Sequence, residues 1–434
     1  VSKIIIILIS FILINGCSLN KNSKFWTSSQ DIQKEKNLNY KEVLVKEEAL
    51  GQELNTNISI NLGKIINNNM NIRNYFNNDG RLNYDGQLKK SSRFKFSKIE
   101  KFYQFEPTIS FNDKNLIFFD NKGSILQFNE FSKLVWRKNY YLKSEKKLKP
   151  ILQFANNKKI LIVADNIAKY YALNLEDGDL LWTKNNLAPF NSQIKIYKDK
   201  FFIIDFSNTL RCFSIKNGEE LWSIKTESSL IRSQKKLSMV IVKDKLYFIN
   251  SIGDISAVSI NQGELLWQLP TQSSLINEAA FSLQSSDLVT DGKTLFFSNN
   301  KNQFFSIDLD TGSFNWENKV NSSVRPNIIG NYIFSASLEG YLVVIEKNSG
   351  NIIRVTDIFN NFKKKKRDKI KPVGFVVGIK NIYLTTDNGK LLVIDIKSGK
   401  TISVLKIDGD KISRPFMINK SLFVIKDNAI IKLD

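Results

Sequence analysis

The chain contains no histidine. That removes imidazole acid–base catalysis, axial haem ligation and most zinc sites at once. Cysteine is nearly as scarce: only Cys17 and Cys212 carry thiols, so there is no Cys-x-x-Cys motif and no disulfide framework. No glycine-rich phosphate cradle and no Gly-x-Ser-x-Gly elbow occur. Acidic residues are scattered through turns rather than paired. Asp308 and Asp310 suggest a calcium loop, but the Asp-Thr-Gly turn that ends a strand accounts for them better. The longest apolar run, Ile4 to Ile14, falls short of the roughly 20 residues that cross a bilayer. No catalytic residue, metal site or cofactor is expected.

What the chain does contain is a repeat: apolar strand, small turn, apolar strand, Gly, three residues, Trp. The clearest copies end at Gly178/Trp182, Gly218/Trp222, Gly263/Trp267 and Gly312/Trp316. A degenerate copy has Ser132 before Trp136, and two later copies lead from Gly350 to Arg354 and from Gly399 to Ser403. Upstream of each Gly the residues alternate, as in Phe213-Ser214-Ile215 and Ile394-Asp395-Ile396, the period-two pattern of a strand. Further upstream, first strands are often opened by proline, as at Pro150, Pro326, Pro372 and Pro415, where no ladder donor is needed. Short strands recurring every forty to fifty residues mark a propeller.

Seven units are complete. The eighth runs from Arg414 to Asp434 with three strands and lacks a fourth. An unpaired edge is a liability, and the alternating stretch Arg93 to Ile99 can supply the missing strand. The fold expected is therefore all-β: an eight-bladed β-propeller of four-stranded antiparallel blades over 93–434, closed by an N-terminal strand. Trp136, Trp182, Trp222, Trp267 and Trp316 read as structural blade-docking residues rather than ligand contacts. Arg354 and Ser403 would mark looser junctions. Cys212 takes a place held elsewhere by Ala172, Ala257 and Ser306, that of a small buried filler.

Before the propeller, Ser2-Lys3, the apolar run and Gly16-Cys17 describe a secretory signal over 1–16, with Cys17 the lipidated first mature residue; an ordinary signal peptide ending near a Cys is the alternative. Residues 17–57 are polar and Lys/Glu/Asn-rich, a flexible lipid-anchored tether, and 58–92 form a lead-in. The net charge of +21 suggests nucleic acid, which the secretory signal argues against. Lysines cluster in connectors between blades: Lys143 to Lys149, Lys235-Lys236 and Lys363 to Arg367. They read as solvated loops, or as a basic face for anionic headgroups or an acidic partner.

The Gly-x-x-x-Trp strand ends, the Asp-Leu-Asp-Thr-Gly turn and the count of eight resemble the quinoprotein (PQQ-like) propeller repeat. One branch of that superfamily comprises quinone-cofactor dehydrogenases, which commonly carry an adjacent Cys pair that this chain lacks. The lipobox, polar tether and bare propeller are similar instead to the outer-membrane protein assembly factor lipoproteins. That resemblance implies a non-enzymatic scaffold of the β-barrel assembly machinery on the periplasmic face of the outer membrane, where Ser18 after Cys17 agrees with outer-membrane sorting. It also implies as partners a central outer-membrane barrel-assembly subunit and, through it, unfolded outer-membrane proteins. The family's Leu-x-Leu-Arg contact corresponds here to Ser229-Leu230-Ile231-Arg232, which makes Leu230, Ile231 and Arg232 the partner-binding residues. The family's acidic pair has no counterpart at Ser282-Leu283-Gln284; Asp287 aligns with the following strand. The other readings are a quinone-dependent enzyme or small-ligand sensor using the funnel, and a surface adhesin.

Overall fold

Period-two alternation over short segments, punctuated by turn residues, produces eight separate four-stranded antiparallel sheets. The computed structural model describes residues 50–63, 67, 75–227, 233–272 and 283–434. Blades 1 to 7 each take four consecutive strands, from Ser110–Asn112 as the first strand of blade 1 to Thr401–Lys406 as the last of blade 7. Blade 8 takes Phe416–Ile418, Ser421–Lys426 and Ala429–Leu433, and its fourth strand is Lys90–Lys95. Arg93 lies opposite Ile431 and Phe94 opposite Ile430. The ring is thus closed by an N-terminal strand as expected, although that strand begins at Lys90 and ends at Lys95 rather than running to Ile99.

Every junction between neighbouring blades is filled by apolar side chains. Phe94, Phe128 and Phe423 share one buried cluster that joins blade 8 to blade 1, with the Phe94 ring 5.8 Å from Phe128 and 6.2 Å from Phe423. Cys212 is fully buried in the cluster between blades 3 and 4, and burial pushes its thiol up to about 12, so it is an inert filler.

The Gly-x-x-x-Trp unit has a definite geometry. Each of blades 1 to 7 has a register shift between its third and fourth strands, beside the Trp or its substitute. The indole reaches the next blade: Trp182 Nε1 donates to Ile215 O at 2.9 Å, and Trp222, Trp267 and Trp316 donate to Ile260 O, Leu309 O and Lys347 O. Each acceptor lies three residues before the next blade's glycine. That glycine has positive φ and lies against the indole; a Cβ on Gly218 would sit 2.5 Å from Trp182. Blade 1 differs in detail. Trp136 Nε1 has no partner, and Gln127 opposite it donates to Leu175 O at 3.3 Å.

Arg354 is not a loose junction. It is fully buried, and its guanidinium donates to Ile396 O at 3.0 Å, to Lys397 O, and to Ile58 O at 3.0 Å. The first two replace the indole donor; the third holds the lead-in against the rim of blades 6 and 7. There Leu54, expected in the flexible tether, exchanges both backbone hydrogen bonds with Val355, so the last tether residues add to the outer edge of blade 6.

Candidate functional site: the connector face and the central channel

In an up-and-down blade the connectors from fourth to first strands share one face with the loops between second and third strands, and the tight turns occupy the other. The connector after Trp222 carries Leu230, Ile231 and Arg232, which lie outside the described residues, as do Cys17 and Ser282. Leu283 is described and buried, its carbonyl accepting from Ser233 Oγ at 2.6 Å. Two connector lysine clusters form short helices. Lys143–Lys147 is closed by Glu145, which accepts from Leu142 N at 2.6 Å and pairs with Lys169 at 3.0 Å. Lys364–Arg367 presents exposed lysines, while Arg367 pairs with Asp357 at 2.6 Å. Among the described residues no helix is long and apolar enough to cross a membrane.

The third lysine cluster behaves differently. Lys235 and Lys236, grouped by sequence with the connector lysines, turn inward to the channel. Lys236 Nζ donates to Glu106 O at 3.2 Å, and Lys235 Nζ lies 3.4 Å from Glu106 Oε1.

The channel is crossed by the chain's own lead-in. Tyr75 O accepts from Ile241 N, Phe76 O from Thr290 N, and Leu82 N donates to Val377 O, each at or next to the turn-side end of a first strand. Between these points the segment dips inward. Asn77 Nδ2 donates to Ser238 Oγ, Met239 O and Leu288 O at 2.9 to 3.1 Å, and Asn78 Nδ2 to Ile328 O. Asn77 adopts φ 55° and Gly80 φ 64°, conformations that Asn and Gly tolerate. Although Asn-Asn-Asp-Gly is a composition typical of solvated turns, Asn77 and Asp79 are buried.

Asp79 brings charge into the channel. Arg414 Nη2 donates to its Oδ2 at 2.7 Å, and Arg325 Nη1 lies 4.0 Å away. Arg325 Nε also donates to Asp287 Oδ2 at 2.6 Å. Asp287, the acid nearest the family's acidic contact, is therefore engaged inside the channel. Burial alone would raise its carboxyl, but Arg325, Lys236 and Lys235 hold it well below the usual range. Lys195 Nζ donates to Asn77 Oδ1 at 2.6 Å, and burial, reinforced by Arg325, lowers its ammonium to about 7.

That shift has a sign. Between pH 7 and the ordinary lysine value the unfolded chain binds the extra proton, so stability should rise with pH across that window. Lys195→Met should flatten this part of the profile, read as melting temperature at pH 7, 8 and 9. A variant whose slope matches the wild type would show that Lys195 stays charged.

No group of three His, Cys, Asp or Glu among the described residues could hold a metal ion, and Cys212 has no neighbouring cysteine in the sequence. The donor set does not match a metal–quinone centre.

Comparison with known proteins places this geometry. No curated protein sequence matches the chain. The solved structure of BamB from Moraxella catarrhalis superposes with a TM-score of 0.63 at 15% identity, covering 80% of this chain and 99% of that one. A quinohemoprotein alcohol dehydrogenase from Pseudomonas putida HK5 aligns at 0.59 and 10% identity, over 80% of this chain and 76% of its own. A europium-containing methanol dehydrogenase aligns at 0.63 and 11% identity, over 82% and 88%. At such identities these likenesses establish the propeller fold alone. The family model described as outer membrane protein assembly factor BamB matches residues 121–356, more than half of the chain. The chain belongs to the BamB family of outer membrane protein assembly factors.

Proposed function

We propose that the protein is a non-enzymatic scaffold lipoprotein of the outer-membrane β-barrel assembly machinery. It docks the central, BamA-like subunit through its inter-blade connectors while outer-membrane proteins fold and insert. The observation that carries this reading is the family match over 121–356, which spans the blades on either side of the connector after Trp222. In this reading Leu230, Ile231 and Arg232 anchor the partner, as an arginine among large apolar residues on a long connector suits a binding hot spot. Cys17 carries the lipid that holds the protein at the periplasmic face of the outer membrane.

The test is affinity capture from solubilised membranes. The wild-type protein should recover a β-barrel membrane protein of the assembly machinery. Ile231→Ala with Arg232→Ala should reduce recovery at least about tenfold while shifting stability by no more than about 0.5 kcal/mol. Full recovery by the stable double variant would refute the contact, and failure of the wild type to recover any barrel protein would refute the scaffold. Separately, Cys17→Ser should move the protein from the membrane to the soluble fraction; an unchanged membrane fraction would count against the lipid anchor.

The dehydrogenase neighbours favour a second reading, a cofactor-dependent enzyme using the funnel. The lead-in across the channel and the donor set described above support the scaffold instead.

A further inference from the structure

Connector docking leaves the charge inside the channel without a role. The cavity there measures about 180 Å³. A water needs roughly 10–15 Å³ in this measure, so several heavy atoms fit. Its lining mixes charge with apolar surface. Lys195, Lys236, Arg325 and Arg414 line it, and Lys235 Nζ lies 3.4 Å from the lining residue Glu106. These five basic side chains face three carboxylates, those of Asp79, Glu106 and Asp287. Among the described residues, Lys236 Nζ meets the Glu106 carbonyl and forms no ion pair. Arg414 Nε and Asp287 Oδ1 have no hydrogen-bond partner. Phe111, Phe154, Ile194, Ile196 and Ile418 supply apolar lining. Phe416 lines the cavity too, its ring 5.4 Å from the Arg414 guanidinium.

We propose that this cavity binds a small amphipathic carboxylate, with the carboxylate on the Lys236–Arg414 side and a compact apolar body against the phenylalanines. A planar two-oxygen anion suits guanidinium and ammonium donors, and an apolar wall disfavours a fully hydrated phosphate. Because the lead-in crosses the tight-turn end, the ligand would enter from the connector face. The burial that depresses Lys195 and Lys236 marks a site where an added anion would be welcome. This inference does not depend on the docking role.

Benzoate, benzyl alcohol and inorganic phosphate are the probes, titrated calorimetrically into the full chain at constant ionic strength. Benzoate should bind saturably, and benzyl alcohol and phosphate should not. Lys236→Met should weaken benzoate about ten- to a hundredfold, the loss of one charge-assisted hydrogen bond. Ala155→Phe, which fills the cavity from blade 2 and leaves every charge in place, should abolish the signal. The proposal is overturned if benzoate does not saturate, if benzyl alcohol or phosphate binds as tightly, or if a folded Ala155→Phe chain binds benzoate like the wild type.

Discussion

Arg354→Ala should destabilise the fold by about 3–5 kcal/mol, the range of large buried truncations. The change removes donors from three carbonyls, those of Ile58, Ile396 and Lys397, and a buried acceptor left without a partner costs roughly 1–3 kcal/mol. It also opens a void where one of the largest fully buried side chains among the described residues stood. Arg354→Trp should recover most of the loss, because an indole N–H serves the same carbonyl position at four other junctions. It should not recover the bond to Ile58, so the lead-in at the rim should become more accessible to protease. Urea denaturation of both variants, with limited proteolysis of the tryptophan variant, reads these outcomes. An alanine variant that melts within a degree of wild type would mean that the buried charge costs as much as its hydrogen bonds return.

Removing the closing strand should have the other large effect. A chain beginning at Lys89 keeps Lys90–Lys95 and should unfold in one cooperative transition, at lower denaturant than the full chain because the bonds of residues 75–84 to blades 4 to 7 are gone. A chain beginning at Ser97 exposes the edge of Ala429–Leu433 and loses Phe94 from between Phe128 and Phe423. Burial of one phenylalanine of this kind is worth about 3–5 kcal/mol, so the transition should broaden and shift to much lower denaturant. Coincident transitions for the two chains would show that the ring does not depend on this strand.

How much of this was legible follows from the range of the interactions. Blade architecture is local: strand alternation, tight turns and Gly-x-x-x-Trp spacing all lie within one repeat, and a last blade with three strands points directly to a strand from the other end. The lead-in was not legible. Asn77 and Asp79 are buried by partners more than a hundred residues away, such as Ser238, Leu288 and Arg414, and no local period encodes that. The Asn-Asn-Asp-Gly stretch instead carries the signature of a solvated turn. Lys235 and Lys236 misled for the same reason: their connector resembles the others, and partners far away in sequence, Glu106 and Ser323, draw them inward. Arg354 could have been read better. A charged residue in the Trp place needs several acceptors, and the neighbouring turn supplies the same carbonyls that receive the indoles. The connector residues Leu230 to Arg232 rest on the family correspondence, since no described contact bears on them.

The pairing of Lys90–Lys95 with Ala429–Leu433 has a consequence for how the molecule comes into being. Blades 1 to 7 each complete their sheets from adjacent segments and can form as soon as those segments are available. Blade 8 cannot, because its two outer strands lie at opposite ends of the sequence. Synthesis delivers the first of them more than three hundred residues before the second. Until then Lys90–Lys95 has no strand to pair with, and completing blade 8 must close a loop of more than three hundred residues, a slow event set by topology rather than by local propensity. During that interval the apolar edge of an unfinished ring is the state most exposed to aggregation.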